Sequence, residues 1–281
     1  MNIDFPLERA VKKRYSVRNY SSQKIQEDVK NSIESFINSM DNPFGKKINF
    51  HYLDTEDIKE EKRLGTYGVI KGAQHYIGAS TKLEPLSLEA LGYELETIIL
   101  YLANINIGTC WLGGTFNRKG FAKAMNIKED EIFPIITPYG YAAEKKHVKE
   151  VMMRKMISSD NRKDWNKLFY IDNFETPMTS LEDKDLEFAL EMVRAAPSAS
   201  NKQPWRIVLK DNLCHFFEYK EAGYSASFPY DIQRIDMGIA AAHFDHAVKE
   251  RNIKGKFQKL DKLEIDLPKN VEYVFSWVRE N

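Results

Sequence analysis

The chain has 281 residues, 43% hydrophobic and 29% charged, enough to bury a substantial core as one large domain or two fused halves. Its 41 basic and 41 acidic residues cancel, which argues against nucleic acid as the main partner, because phosphate-backbone binding runs on excess positive charge. The longest apolar run, Ile98 to Ala103, is too short to span a bilayer, and the N-terminus lacks the basic and apolar regions of a signal peptide, so a cytoplasmic protein off the membrane is expected. Cys110 and Cys214 make neither a disulfide framework nor a metal motif and read as buried thiols.

The first feature in chain order is Arg14-Tyr15-Ser16-Val17-Arg18-Asn19-Tyr20. Two guanidinium forks flanking a hydroxyl suit a phosphate, although the same string serves as a solvated basic loop. Ile25, Val29, Ile33, Phe36, Ile37 and Met40 form a stripe at helical spacing, predicting a helix over 25–40. A strand is predicted from Ile48 to Leu53, after the segment Asp41-Asn42-Pro43-Phe44-Gly45-Lys46. A long helix from about Leu88 to Ala103 follows, with Gly108 as its stop. The glycine-rich string Gly108-Thr109-Cys110-Trp111-Leu112-Gly113-Gly114 comes next, and a basic segment, Asn161-Arg162-Lys163-Asp164-Trp165, lies further on.

The second half repeats this order. Ser180 to Asp183 resembles a capping box, followed by a stripe at Leu186, Ala189, Leu190 and Val193. Strands are predicted from Trp205 to Leu209 and from Leu213 to Tyr219, joined by a turn at Asp211-Asn212. A long helix from Ile235 to Arg251 ends at Asn252-Ile253. Gly92 stands fourteen residues before Asn106-Ile107, and Gly238 stands fourteen before Asn252-Ile253. The expected architecture is α+β, in two tandem lobes of one plan, residues 1–172 and 173–281, meeting through their long helices. His243 and His246, at i and i+3, read as an ordinary polar helix face rather than as a metal pair.

Ala196-Pro197-Ser198-Ala199-Ser200-Asn201-Lys202-Gln203-Pro204-Trp205-Arg206 links the second lobe's first helix to its strand. A plain connection needs about two to six residues. This one carries hydroxyls and amides on proline-stiffened backbone, which suits either a small polar ligand or an unusually rich turn.

Taken together, Arg14-x-Ser16-x-Arg18, the Pro197-Ser198-Ala199-Ser200-Asn201 loop with Gln203-Pro204-Trp205, and the Gly108–Gly114 string resemble the nitroreductase family of FMN-dependent NAD(P)H oxidoreductases. The resemblance spans nearly the whole chain, with the tail after about residue 255 least anchored. It implies a nitroreductase-like fold, and a homodimer fused into one polypeptide: an internal pseudo-dimer around long central helices, monomeric in solution. FMN would lie between the lobes. On this resemblance Arg14, Ser16 and Arg18 reach the phosphate, ribityl chain and pyrimidine edge, with Arg14 as the positive group near flavin N1. Arg162, or Lys163 beside it, takes the place of a phosphate-binding arginine. Gly113 and Gly114 present backbone N–H groups near N5, and Pro197, Ser198, Ala199 and Asn201 lie against the ring and ribityl chain. Gln203 is either a helper or a loop amide, Thr66 and Tyr67 are further contacts, and Trp111 is core.

The two halves are not equivalent. Lobe 1 has Asp41 to Lys46 where the Pro-Ser loop should be, and lobe 2 has no arginine before its first helix. One complete site, hence one FMN per chain, is expected. The chemistry implied is hydride transfer from NADH or NADPH to the flavin and on to a nitroaromatic, quinone or similar small-molecule acceptor, with no catalytic side chain required. A flavin-binding module with little turnover, another flavin chemistry on this fold, and a chain that has lost its cofactor are the alternatives.

Overall fold

A computed structural model describes residues 3–57, 64–144 and 161–280. Helix α1 (Leu7–Lys13) leads into an extended segment, then α2 (Glu27–Asn38) and β1 (Asn49–Asp54). There follow β2 (His75–Thr81), α3 (Ser87–Asn104), β3 (Gly108–Thr109), α4 (Arg118–Ala124) and β4 (Ile132–Gly140). After β5 (Phe169–Ile171) come α5 (Lys184–Ala195), β6 (Trp205–Lys210), β7 (Leu213–Tyr219), α6 (Gln233–Glu250), β8 (Gly255–Gln258) and β9 (Val271–Arg279). Among the described residues no helix is long and apolar enough to cross a membrane.

The duplication is written in the sheets. One has the order β1-β2-β4-β3 and the other β5-β6-β7-β9-β8. Matching α2, β1, β2, α3, β3 and β4 to α5, β6, β7, α6, β8 and β9 in chain order reproduces the same strand order in both. The added strand β5 comes from the end of the first stretch yet pairs in parallel with β6, so residues 169–171 join the second sheet. The tail is equally committed: β9 buries Val274, Phe275 and Trp277 and is hydrogen-bonded to both β7 and β8.

Helices α3 and α6 cross at their glycines. A Cβ on Gly92 would stand 2.1 Å from the Ile235 carbonyl oxygen, and one on Gly238 would stand 1.9 Å from that of Glu89. Only a missing side chain permits that approach. Ala240, Ala241 and Ala242 are wholly buried beside the crossing. Both helices then stop in the same way. Asn106 and Asn252 take left-handed φ values of 64° and 58°. The Ile107 N–H donates to the Leu102 carbonyl and the Ile253 N–H to that of Val248, each at 2.8 Å, the paired bonding of a Schellman motif. Asn106, not Gly108, is therefore the stop. Gly108 instead lets Val17 pack close, since a Cβ there would meet Val17 Cγ2 at 2.6 Å.

Two local expectations shift. Helix α5 is capped by Asp183, whose side chain accepts from the N–H groups of Asp185 and Leu186, and not by Ser180. His243 and His246 lie on a fully buried face rather than a solvated one. His243 Nε2 meets Glu96 Oε1 at 2.9 Å, and His246 Nε2 meets Thr97 Oγ1 at 2.8 Å, both across the helix crossing. Cys110 and Cys214 are buried and are not joined in a disulfide.

Candidate functional site: a cavity between the lobes

A cavity of about 400 Å³ opens where the two halves meet. Ser16, Arg18, Cys110, Trp111, Leu112, Gly113, Gly114 and Ile135 line it from the first half, and Pro197, Ser198, Ala199, Ser200, Ile232, Ile235, Asp236 and Ile239 from the second. Three segments far apart in sequence thus converge on one cavity.

The arginine segment is extended because it pairs along β3. Ser16 bridges Thr109, and the Val17 N–H donates to the Thr109 carbonyl at 2.8 Å. Side chains on extended backbone alternate, so Ser16 and Arg18 face the cavity while Tyr15 and Val17 face a separate hollow of about 160 Å³, which Arg14 also lines. Arg14 is the C-cap of α1, before the paired stretch, and lines the other hollow, so Arg18 and not Arg14 is the cation in the cavity wall. It is 7% exposed; its Nη1 donates to the Ser16 carbonyl at 3.5 Å, and its Nε has no partner. A buried guanidinium so weakly satisfied is costly unless an anion or acceptor joins it.

The glycine-rich turn is braced from behind. Leu112 exchanges backbone hydrogen bonds with Ile136 on β4. The Arg118 guanidinium donates to the carbonyls of Gly113, Phe133 and Pro134, and it stacks over the rings of Phe116 and Phe228 at 5.0 and 5.2 Å. A Cβ on Gly114 would have its nearest neighbour 4.0 Å away, so that residue's open side is the cavity itself. Trp111, expected in the core, is a half-buried wall residue whose Nε1 donates to Glu96 Oε2 at 2.8 Å.

The Pro-Ser loop is a strained turn held on several sides. Ser200, Asn201 and Gln203 all have positive φ, a backbone state unfavourable for side chains other than glycine's. The Ser198 hydroxyl accepts the Gln203 N–H at 2.8 Å, and the Ala199 N–H donates to Asp236 Oδ1 at 3.0 Å. The basic segment supports the loop from outside the cavity lining. Arg162 donates to the Ala195 carbonyl and to Asn201 Oδ1, and Lys163 Nζ donates to the Lys202 carbonyl at 2.7 Å. Burial, with the Arg206 charge nearby, brings the Lys163 ammonium down to about 8. Asn201 is likewise turned toward this segment, giving a hydrogen bond to the Asn161 carbonyl. Gln203 is a loop amide, 3% exposed, accepting the Lys163 N–H. Of the Thr66–Tyr67 pair, neither lines the cavity; Val69 from the same loop does.

Sequence reasoning missed Asp236, Arg118, Val69 and the aromatic rim of Tyr224 and Phe228. Asp236 had a signal: one acid inside the apolar run Ile235-Asp236-Met237-Gly238-Ile239.

The pseudo-symmetric position is filled by rings. Aligning β1 with β6 pairs Phe44 with Ser200, aligning the two helix glycines pairs Tyr93 with Ile239, and aligning Asn106 with Asn252 pairs Phe257 with Trp111. Ser200, Ile239 and Trp111 all line the cavity. Their counterparts pack on one another, with the Phe44 centroid 6.3 Å from Tyr93, 5.6 Å from Phe257 and 5.1 Å from Phe275. Asn42 fastens this loop, donating to Glu94 Oε1 at 2.5 Å.

Two lobes of identical strand order, crossed long helices and a cavity between them define a protein of the nitroreductase fold. The model of the family described as "Putative TM nitroreductase" matches residues 7–248. The chain belongs to that family. A Thermotoga maritima structure described as a putative nitroreductase is 20% identical, with 99% of this chain and 95% of that one covered at a TM-score of 0.62. An FMN-dependent nitroreductase from Clostridium difficile is 17% identical over 50% of this chain and 89% of its own, with a TM-score of 0.41. A nitroreductase with bound FMN from Bacteroides fragilis is 18% identical over 51% of this chain and 92% of its own, with a TM-score of 0.40. No curated protein matches.

Proposed function

We propose that this chain is an FMN-dependent oxidoreductase that holds one FMN in the cavity between its lobes. The carrying observation is Arg18: a buried, incompletely bonded guanidinium in a largely apolar wall, in a cavity that the hydroxyl residues Ser198 and Ser200 line from the other lobe. A flavin mononucleotide answers both demands, with an apolar ring for the walls and anionic or carbonyl oxygens for the cation. FMN, when bound, supplies hydride acceptance and donation, and the protein supplies binding, orientation and electrostatics.

Ser16 and Arg18 bind from the first lobe, with Arg18 favouring negative charge on the ring. Gly113 and Gly114 let the ring approach the backbone, and Pro197, Ser198 and Ala199 close over it from the second lobe. Arg162, Lys163 and Asn201 position that loop, while Arg14 lies in the separate hollow beside β3. One cavity must serve both NADH or NADPH and the acceptor, so they enter in turn and the kinetics are ping-pong. A nitroaromatic or quinone suits an apolar cavity rimmed by Tyr224 and Phe228. The internal pairing of lobes leaves the chain monomeric.

The test is reconstitution with FMN followed by anaerobic addition of NADH or NADPH. Bleaching of the flavin absorbance, reversed by menadione or a nitroaromatic, is expected. A chain that binds FMN but is reduced by neither nucleotide would refute the oxidoreductase reading.

A further inference from the structure

Asp236 lies in the first turn of α6, lines the cavity and is 3% exposed. Its two oxygens are treated differently. Oδ1 accepts the Ala199 N–H at 3.0 Å, whereas Oδ2 is buried and has no partner. A buried oxygen without a partner marks a place where something is missing. Resting on the flavin reading above, we propose that Asp236 is a further cofactor-binding residue, one carboxyl oxygen fixing the Pro-Ser loop and the other donating a hydrogen bond to a ring carbonyl of the bound flavin.

Donation requires the proton to sit on Oδ2, and the surroundings put it there. Burial pushes the carboxyl up to about 8 against the lowering effect of the Ala199 N–H, and the charges of Asp231, before α6, and Glu96, on α3, push the same way. Tyr224 is the titratable neighbour on the preceding loop. Arg18 shares the cavity from the other lobe. A carboxylic acid kept neutral in an apolar site can act as a donor at neutral pH. Because Oδ1 is already committed to a backbone N–H, only Oδ2 is available to carry the proton.

The proposal has a signature in binding rather than turnover. FMN would select the protonated acid, so by linkage its affinity must fall as pH rises through the carboxyl's own range. FMN titrations followed by flavin fluorescence between pH 7 and 9 avoid the phosphate's second ionisation, near pH 6. The intact chain is expected to bind about tenfold more weakly at pH 9 than at pH 7. Asp236→Asn keeps an acceptor for Ala199 and supplies a permanent N–H donor, so its affinity should lose the tenfold fall and keep only the slope that Lys163, brought down to about 8 on the supporting segment, contributes in both proteins. Infrared difference spectra of the intact chain give a second readout that needs no variant: a neutral carboxylic acid band at pH 7 that shifts when FMN is added. Parallel pH profiles in the two proteins, or no such band, would overturn the role of Asp236 while leaving the flavin site standing. Absence of FMN binding at any pH would overturn both.

Discussion

Replacing Gly238 by alanine tests the helix crossing on which the cavity depends. The added Cβ would stand 1.9 Å from the Glu89 carbonyl oxygen, 2.7 Å from its carbon and 2.9 Å from its Cα. All three are backbone atoms of α3, so no side chain can swing away, and the helices must part by more than an ångström at that point. Interiors are packed too closely to absorb such a shift freely. Overpacking of this kind costs about 1–3 kcal/mol, and a clash with rigid backbone belongs at or above the upper end. Alanine returns about 1 kcal/mol of helix propensity, leaving a net loss of about 2 kcal/mol. At about 2–4 °C per kcal/mol for a chain of this size, the melting temperature should fall by about 4–8 °C. Ile235, Asp236 and Ile239 carry the cavity floor on the same helix, so FMN affinity should fall as well. Circular-dichroism melts and FMN titrations read the two effects. Gly65, where an added Cβ meets nothing within 4 Å, is the control, and its alanine variant should melt like the parent. A Gly238→Ala chain melting within a degree of the parent would refute the close crossing.

Other outcomes follow from the same geometry. Gly114→Ala should leave the melting temperature of the cofactor-free chain unchanged, since the Cβ enters open space, yet weaken FMN binding about tenfold, equivalent to about 1.4 kcal/mol; fluorescence titration beside a thermal melt checks this. Arg18→Met should raise the melting temperature of the cofactor-free chain, by removing a poorly bonded buried charge, and lower FMN affinity at least about tenfold, because a hydrogen bond to a charged group is worth about 1.5–3 kcal/mol. Phe44→Ala should cost about 2–3 kcal/mol in a denaturant melt, below the usual value for a fully buried ring, and leave flavin stoichiometry unchanged, because Asp41 to Lys46 supplies no Pro-Ser loop.

What was legible in the sequence were features with a local signature. The amphipathic stripes of α2 and α5, the fourteen-residue spacing from glycine to Asn-Ile, and the three polar segments each carry their pattern in a few adjacent residues. The duplication could be read because both long helices use the same close crossing and the same asparagine stop. What stayed hidden depends on partners distant in sequence. Strands β2 and β9 are buried centrally and lack a clean alternation, so their periodicity is weak. Arg162 resembled a phosphate ligand by position alone, and only the folded chain shows it gripping the Ala195 carbonyl. Arg14 and Arg18 look equivalent as a string; only the folded chain shows Arg14 held at the C-cap of α1 beside another hollow and Arg18 in the cavity wall. The aromatic filling of the second position joins Phe44, Tyr93, Phe257 and Phe275 from four separate segments, a relation no local pattern contains.

The central claim is a single flavin site formed jointly by two lobes of one chain. Flavin stoichiometry measures it most directly: saturate the purified chain with FMN, remove the excess, denature, and compare released flavin with protein. One FMN per chain is the expected result. Two per chain would contradict the filled second position, and none would contradict the site itself.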